Sequence, residues 1–202
     1  YGLIGACAIE ATGNPFPDET FQLCKDSDAI LLGAIGDPKY DNDPSAPVRP
    51  EQGLLAMRKS LGLYANIRPI KIFKGLEHLS VLKESVIKNS DFVIFRELTG
   101  GIYFGEKVKR EGYASDLCAY SDFEIERITH LAFQLAGKRK RKVTLVDKAN
   151  VLETSRLWRS IVKQVAVQYP EIELDFLFID NAAMQMLIST SRFGVLRCDN
   201  LF

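Results

Sequence analysis

Short uninterrupted apolar runs alternate with amphipathic stretches along the chain. "AILLG" (29–33), "DFVIF" (91–95) and "KVTLV" (142–146) are continuous apolar runs, the pattern of strands covered on both faces. Residues 122–137 place Phe123, Ile125, Ile128, Leu131, Ala132 and Leu135 at helical spacing, with Asp122 as the expected N-cap. The same reading gives further strands at 2–9, 64–70, 173–179 and 194–198 and helices at 17–26, 51–61, 80–88, 153–169 and 181–188. Strands alternating with helices predict an α/β sheet architecture. The segment 34–50, "AIGDPKYDNDPSAPVRP", is rich in Pro, Gly, Asn and Asp and reads as a long loop, a feature more common at functional sites than elsewhere.

Composition narrows the partners. The chain is 47% hydrophobic and 26% charged, with 26 Lys plus Arg against 26 Asp plus Glu, so no overall field gathers nucleic acid or an acidic membrane. Any anion site must be local. The one basic run, "KRKRK" at 138–142, follows the helix 122–137, where cations offset the helix dipole. Cys7, Cys24, Cys118 and Cys198 are scattered without a C-x-x-C pair, which predicts reduced thiols rather than a zinc or redox motif. No apolar stretch reaches the roughly 20 residues that span a bilayer, and a cytoplasmic location is expected. The chain starts on Tyr1 and stops at Phe202 amid apolar residues, and we read it as an internal piece of a longer protein.

Three constellations offer chemistry. Arg49, Arg58, Arg68 and Arg96 fall near the expected ends of elements; Arg68 and Arg96 would meet in one crevice if both lay at carboxyl ends of strands. Arginine forks match carboxylates bidentately, so converging arginines predict a small di- or tricarboxylate, whereas single ones read as surface or ion-paired residues. "VDKANVLE" (146–153) puts Lys148 where a strand gives way to a helix. It is either an exposed loop lysine or a general base, and the second role needs a nearby cation to favour its neutral form. Asp180, in "FIDNAAMQ", is a helix N-cap or one oxygen donor to a metal. Neither G-x-G-x-x-G nor a Walker A sequence is present.

"RPEQGLLAMRKSLGLYANIRP", "RELTGGIYFGE", "VDKANVLE" and "FIDNAAMQ", in this order and spacing, resemble the isopropylmalate branch of the isocitrate/isopropylmalate dehydrogenase family, and the resemblance runs from the first residues to the last. It implies a three-layer, two-domain α/β fold without the classical Rossmann fingerprint: part of the first, cofactor-side domain at 1–63, and the second, dimerisation and substrate domain at 64–202 with an arm at about 99–121. It implies oxidative decarboxylation of 3-isopropylmalate in leucine biosynthesis, with NAD and Mg²⁺ or Mn²⁺. By the same resemblance Arg58, Arg68 and Arg96 hold the substrate carboxylates, Tyr103 protonates the carbon left by carbon dioxide, Lys148 takes the hydroxyl proton, and Asp180 binds metal and substrate. Glu51 and Asn150 lie beside the nicotinamide, and Leu54, Leu55 and Val151 form the wall around the isopropyl group. The family's site is shared across a homodimer, into whose partner subunit Lys148 and Asp180 would reach.

The resemblance also places a first strand before Tyr1, and two more acidic ligands and an adenosine loop after Phe202, so the 202-residue chain alone is expected to be inactive. Two other readings stay open: a related enzyme acting on tartrate, malate or homoisocitrate, and a binding protein derived from the family without activity.

Overall fold

The structure, a computed structural model, describes residues 1–41 and 46–202, and it divides into two compact units, Tyr1–Leu63 and Tyr64–Phe202. The first unit holds α1 (Ala6–Thr12), α2 (Asp18–Lys25), α3 (Pro38–Asp41) and α4 (Pro50–Ser60). Residues 2–9, expected as a strand, instead enter α1. Short apolar runs fit either element, and here Ala6 and Ala8 favour helix while Gly13, at φ 75°, provides the left-handed C-cap. Residues 29–33 form no strand either; no ladder partner faces them among the described residues, and Ile30, Leu31 and Leu32 are exposed. Within the expected loop 34–50, α3 forms, and residues 42–45 lie outside the described residues.

The second unit is built on a five-stranded sheet. Its strands are β1 (Ala65–Lys71), β2 (Asp91–Glu97), β5 (Lys142–Asp147), β6 (Glu173–Phe178) and β7 (Val195–Cys198), in the order β1-β2-β7-β5-β6. β1 pairs antiparallel with β2, and the remaining neighbours are parallel. Between β1 and β2 the expected helix 80–88 shrinks to α5 (Glu84–Ile87) after a 3-10 turn at Glu77–Leu79. The arm contains a two-stranded hairpin, β3 (Lys107–Arg110) and β4 (Tyr113–Asp116), as a separate sheet.

Both faces of the sheet are covered, which is why its central strands read as unbroken apolar runs. On one face α6 (Asp122–Gly137) and α7 (Glu153–Ala166) bury Ile125, Ile128, Phe133, Trp158 and Val162 against Val93, Phe95, Val143 and Leu145. Burial of each large apolar side chain stabilises the fold by about 1.5–3 kcal/mol. On the other face α8 (Ile179–Ile188) and the segment from Phe193 pack over Phe92, Val146, Leu177 and Leu196.

The N-cap of α6 is Ser121 rather than Asp122: its hydroxyl accepts from Glu124 N while Glu124 accepts from Ser121 N, a reciprocal capping box. The basic run lies past that helix and is used within the fold. Arg139 pairs with Asp91, Lys140 donates to the carbonyls of Ser191 and Phe193, and Lys142 pairs with Glu173 and Asp175. No helix among the described residues is long and apolar enough to cross a membrane.

Candidate active site

Strand register decides which side chains share the α8 face. Asn66 lies opposite Arg96 and Arg68 opposite Ile94, and directly opposed residues point to the same side. Arg68 and Arg96 are therefore diagonal neighbours on one face. Arg68 sits in the middle of β1, not at a carboxyl end as expected. Antiparallel pairing, rather than a common strand end, brings it to Arg96. Both line a cleft of about 370 Å³ whose other walls include Ile94, Val146, Ile179 and Leu196.

The two guanidinium groups differ in how much of their bonding is committed. Arg68 is exposed and donates from Nε to Asn66 Oδ1 at 3.3 Å. Arg96 is half-buried; it donates from Nη2 to the Asn200 carbonyl at 3.2 Å, while its buried Nε has no partner among the described residues. A buried donor without an acceptor costs about 1–3 kcal/mol. Cys198 lines the same cleft, and burial pushes its thiol up to about 11. It is a neutral apolar wall there, not a nucleophile.

After Glu97 the chain turns sharply through Gly100 and Gly101 into a short 3-10 turn ending on Tyr103. Tyr103 is 46% exposed, with the Arg96 guanidinium 5.7 Å from its ring centroid. Gly101 has φ 73°, and a Cβ there would stand 2.1 Å from the Tyr120 hydroxyl. Gly112, in the β3–β4 turn, has φ 68° but open space around it. Gly112→Ala is expected to cost only the left-handed backbone term, about 1–2 kcal/mol. Gly101→Ala should cost more, since Tyr120 must also move. Urea midpoints of the two variants, measured side by side, check the difference.

Lys148 and Asp180 form a second cluster. Lys148 Nζ lies 3.2 Å from Asp180 Oδ2, and this contact with the Lys148 ammonium holds the Asp180 carboxyl below the usual carboxylate range. A general base at Lys148 would need a nearby cation, whereas the charged partner the structure supplies is an anion. Asp180 is not the N-cap of α8; Phe178 occupies that position and Asp180 lies in the first turn, exposed. The backbone carrying Lys148 is firmly held. Asp147, 2% exposed, takes a bidentate fork from Arg159 at 2.6 and 3.0 Å, and Ser155 Oγ accepts from Lys148 N at 3.1 Å. Asn150 and Val151 follow on the exposed turn before α7. Neither Lys148 nor Asp180 lines the arginine cleft.

Four expected residues belong to the first unit and share one side of α4. Glu51 is exposed in its first turn, and Leu54, Leu55 and Arg58 are half-buried at the three- and four-residue spacings of a helix face. Arg49 precedes them, with its guanidinium donating to the Tyr40 carbonyl at 3.1 Å. The sequence reading passed over Asn200, Arg159 and Ser155. Asn200 was visible only as one polar residue in an apolar tail, while the other two sit at ordinary helix positions.

Comparisons with known proteins place the chain in a family. A family profile described as "Isocitrate/isopropylmalate dehydrogenase" matches residues 1–202. The chain is 54% identical over 202 residues to the 3-isopropylmalate dehydrogenase of Bacteroides fragilis (strain YCH46), covering 100% of this chain and 57% of that protein. It is 51% identical over 208 residues to the enzyme of the same name from Bacillus subtilis (strain 168), covering 100% and 57%. The chain thus spans a little over half the length of these curated relatives. Among solved structures, isocitrate dehydrogenase from Methylococcus capsulatus superposes with a TM-score of 0.75 at 30% identity, covering 98% of this chain and 56% of that one. The mixed α/β fold, the motifs in register and the full-length profile match agree: this chain belongs to the isocitrate/isopropylmalate dehydrogenase family.

Proposed function

We propose that the chain is the substrate-holding portion of an NAD-dependent 3-isopropylmalate dehydrogenase of leucine biosynthesis, built on the family's three-layer, two-domain fold. The observation that carries this reading is the pair Arg68 and Arg96 on one sheet face, in a cleft with otherwise apolar walls and an uncommitted Arg96 Nε. A small acid with neighbouring carboxylates and a branched aliphatic group suits such a surface. Arg58 would bind a further carboxylate, and Leu54, Leu55 and Val151 would enclose the isopropyl group.

Two groups from outside the chain are implied. Among the described residues no three His, Cys, Asp or Glu side chains converge, so Asp180 fits only as one oxygen donor to a divalent cation, within the one or two carboxylates that Mg²⁺ usually takes. Glu51 and Asn150, both polar and exposed, fit contacts beside a nicotinamide. When bound, NAD⁺ supplies a hydride acceptor and Mg²⁺ or Mn²⁺ supplies polarisation of the substrate's oxygen.

The chain's own residues then divide the work. Arg58, Arg68 and Arg96 fix the acid and its orientation. Lys148 accepts the hydroxyl proton as a neutral amine, which requires that its ammonium first leave Asp180 and give up a proton to solvent. Tyr103 returns a proton to the carbon vacated by carbon dioxide. The arm at 99–121 would interlock with a second copy, completing each site with Lys148 and Asp180 from the partner.

NADH formation tests the reading on protein of the relatives' full length, with 3-isopropylmalate and Mg²⁺ or Mn²⁺. No NADH from this acid or any related hydroxy acid would leave a binding protein as the better account. The shared site has its own check. Mixed Lys148→Ala and Arg96→Ala protomers, each inactive alone, should recover activity as heterodimers; heterodimers without activity would contradict it.

A further inference from the structure

We propose that Glu97 and Asn200 are positioning residues that hold the Arg96 guanidinium and the Tyr103 hydroxyl in one fixed relation. The inference rests on the proposed acid role of Tyr103. Glu97 is fully buried at the end of β2. Its carboxylate accepts from Thr99 N at 2.9 Å, Thr99 Oγ1 at 3.0 Å and Gly100 N at 2.7 Å. The counter-charge comes from α6: Arg127 Nη2 lies 3.3 Å from Glu97 Oε1 and 2.6 Å from Thr99 Oγ1.

Asn200, 1% exposed, grips the same turn from the other side. Its Nδ2 donates to the Gly100 carbonyl at 2.9 Å, its backbone N–H donates to Tyr120 Oη at 2.8 Å, and its carbonyl accepts from Arg96 Nη2 at 3.2 Å. Gly100 is therefore held at its N–H by Glu97 and at its C=O by Asn200. Tyr103 follows three residues later, beneath the Arg96 guanidinium. The residue that orients the clamp also pins the turn that carries the acid.

A carboxylate is required at Glu97 because it only accepts, whereas an amide must turn its NH₂ toward at least one donor. Glu97→Gln should thus loosen the turn while preserving volume. The test is turnover of 3-isopropylmalate in D₂O by protein of the relatives' full length, reading the configuration of deuterium at the decarboxylated carbon. Delivery by a fixed Tyr103 labels one face; an enol released before protonation takes deuterium on both.

Unmodified protein should label one face. Glu97→Gln should label both, with kcat lower by about tenfold to a hundredfold. Thr99→Val, which removes only a hydroxyl from the same network, serves if Glu97→Gln does not fold, and the same mixed labelling is expected. A folded variant that keeps one-face labelling and its kcat would overturn the positioning role. Two-face labelling by the unmodified protein would instead overturn the acid role of Tyr103, and the proposal with it.

Discussion

Replacing Lys148 with methionine is expected to lower kcat for 3-isopropylmalate by about 10²–10⁴-fold, the range of a positioned general base, with a much smaller change in KM. The split follows from where Lys148 stands. It is outside the arginine cleft, so its loss leaves the carboxylate clamp in place. Methionine keeps much of the length and the apolar stem that passes near the Phe178 ring, where Nζ lies 5.9 Å from the centroid. The variant also frees Asp180, whose carboxyl should titrate higher once the ammonium is gone. In the folded protein Lys148 depresses that titration, so the pair's contribution is present above the ordinary value of 3.8 and lost as pH falls below it. Side-chain NMR of Asp180 in both proteins reads this shift, and steady-state kinetics reads the other.

Changing Arg96 to lysine is expected to lower kcat/KM by about 10–150-fold, the equivalent of one charge-assisted hydrogen bond of about 1.5–3 kcal/mol. Lysine retains the charge but cannot present a planar fork. Its ammonium must serve the Asn200 carbonyl and the substrate from one point, whereas Arg96 bonds that carbonyl through Nη2 of a planar fork. Loss should appear mainly in KM, because a clamp on a carboxylate acts in the ground state and the transition state alike. Arg68→Lys should cost less, since Arg68 is exposed and water can replace part of its bonding. Kinetics of the two variants under one set of conditions orders them.

The sequence made the second unit more readable than the first. Continuous apolar runs at 91–95 and 142–146 became central strands because helices cover both faces. Equally apolar segments at 2–9 and 29–33 did not, since period alone cannot separate a buried strand from an Ala-rich helix, and strands need partners. The cap of α6 was one residue off although "SDFE" spells a capping box, and Asp122 is simply a competing cap residue.

Candidate residues could be named by type from the sequence, but their relations could not. Arg68 reaches Arg96 through a register that only an antiparallel edge strand provides. The Lys148–Asp180 pair joins the ends of two parallel strands, β5 and β6. Which groups Glu97 bonds was not legible in sequence, because Thr99 and Gly100 are reached by a turn and Arg127 by a helix. Asn200 binds Arg96 through its main-chain carbonyl, across a separation of 104 residues, and no side-chain pattern records such a contact.

The central claim is the proposed preference for a malate carrying a branched apolar group. Burying three extra carbons against Leu54, Leu55 and Val151 at about 0.8 kcal/mol each gives roughly 2.4 kcal/mol, or about fiftyfold. The decisive measurement is kcat/KM for 3-isopropylmalate against malate, tartrate and homoisocitrate, with protein of the relatives' full length, NAD⁺ and Mg²⁺. The account predicts 3-isopropylmalate first, by about fiftyfold or more over malate; an equal or higher value for any of the other three acids would contradict it.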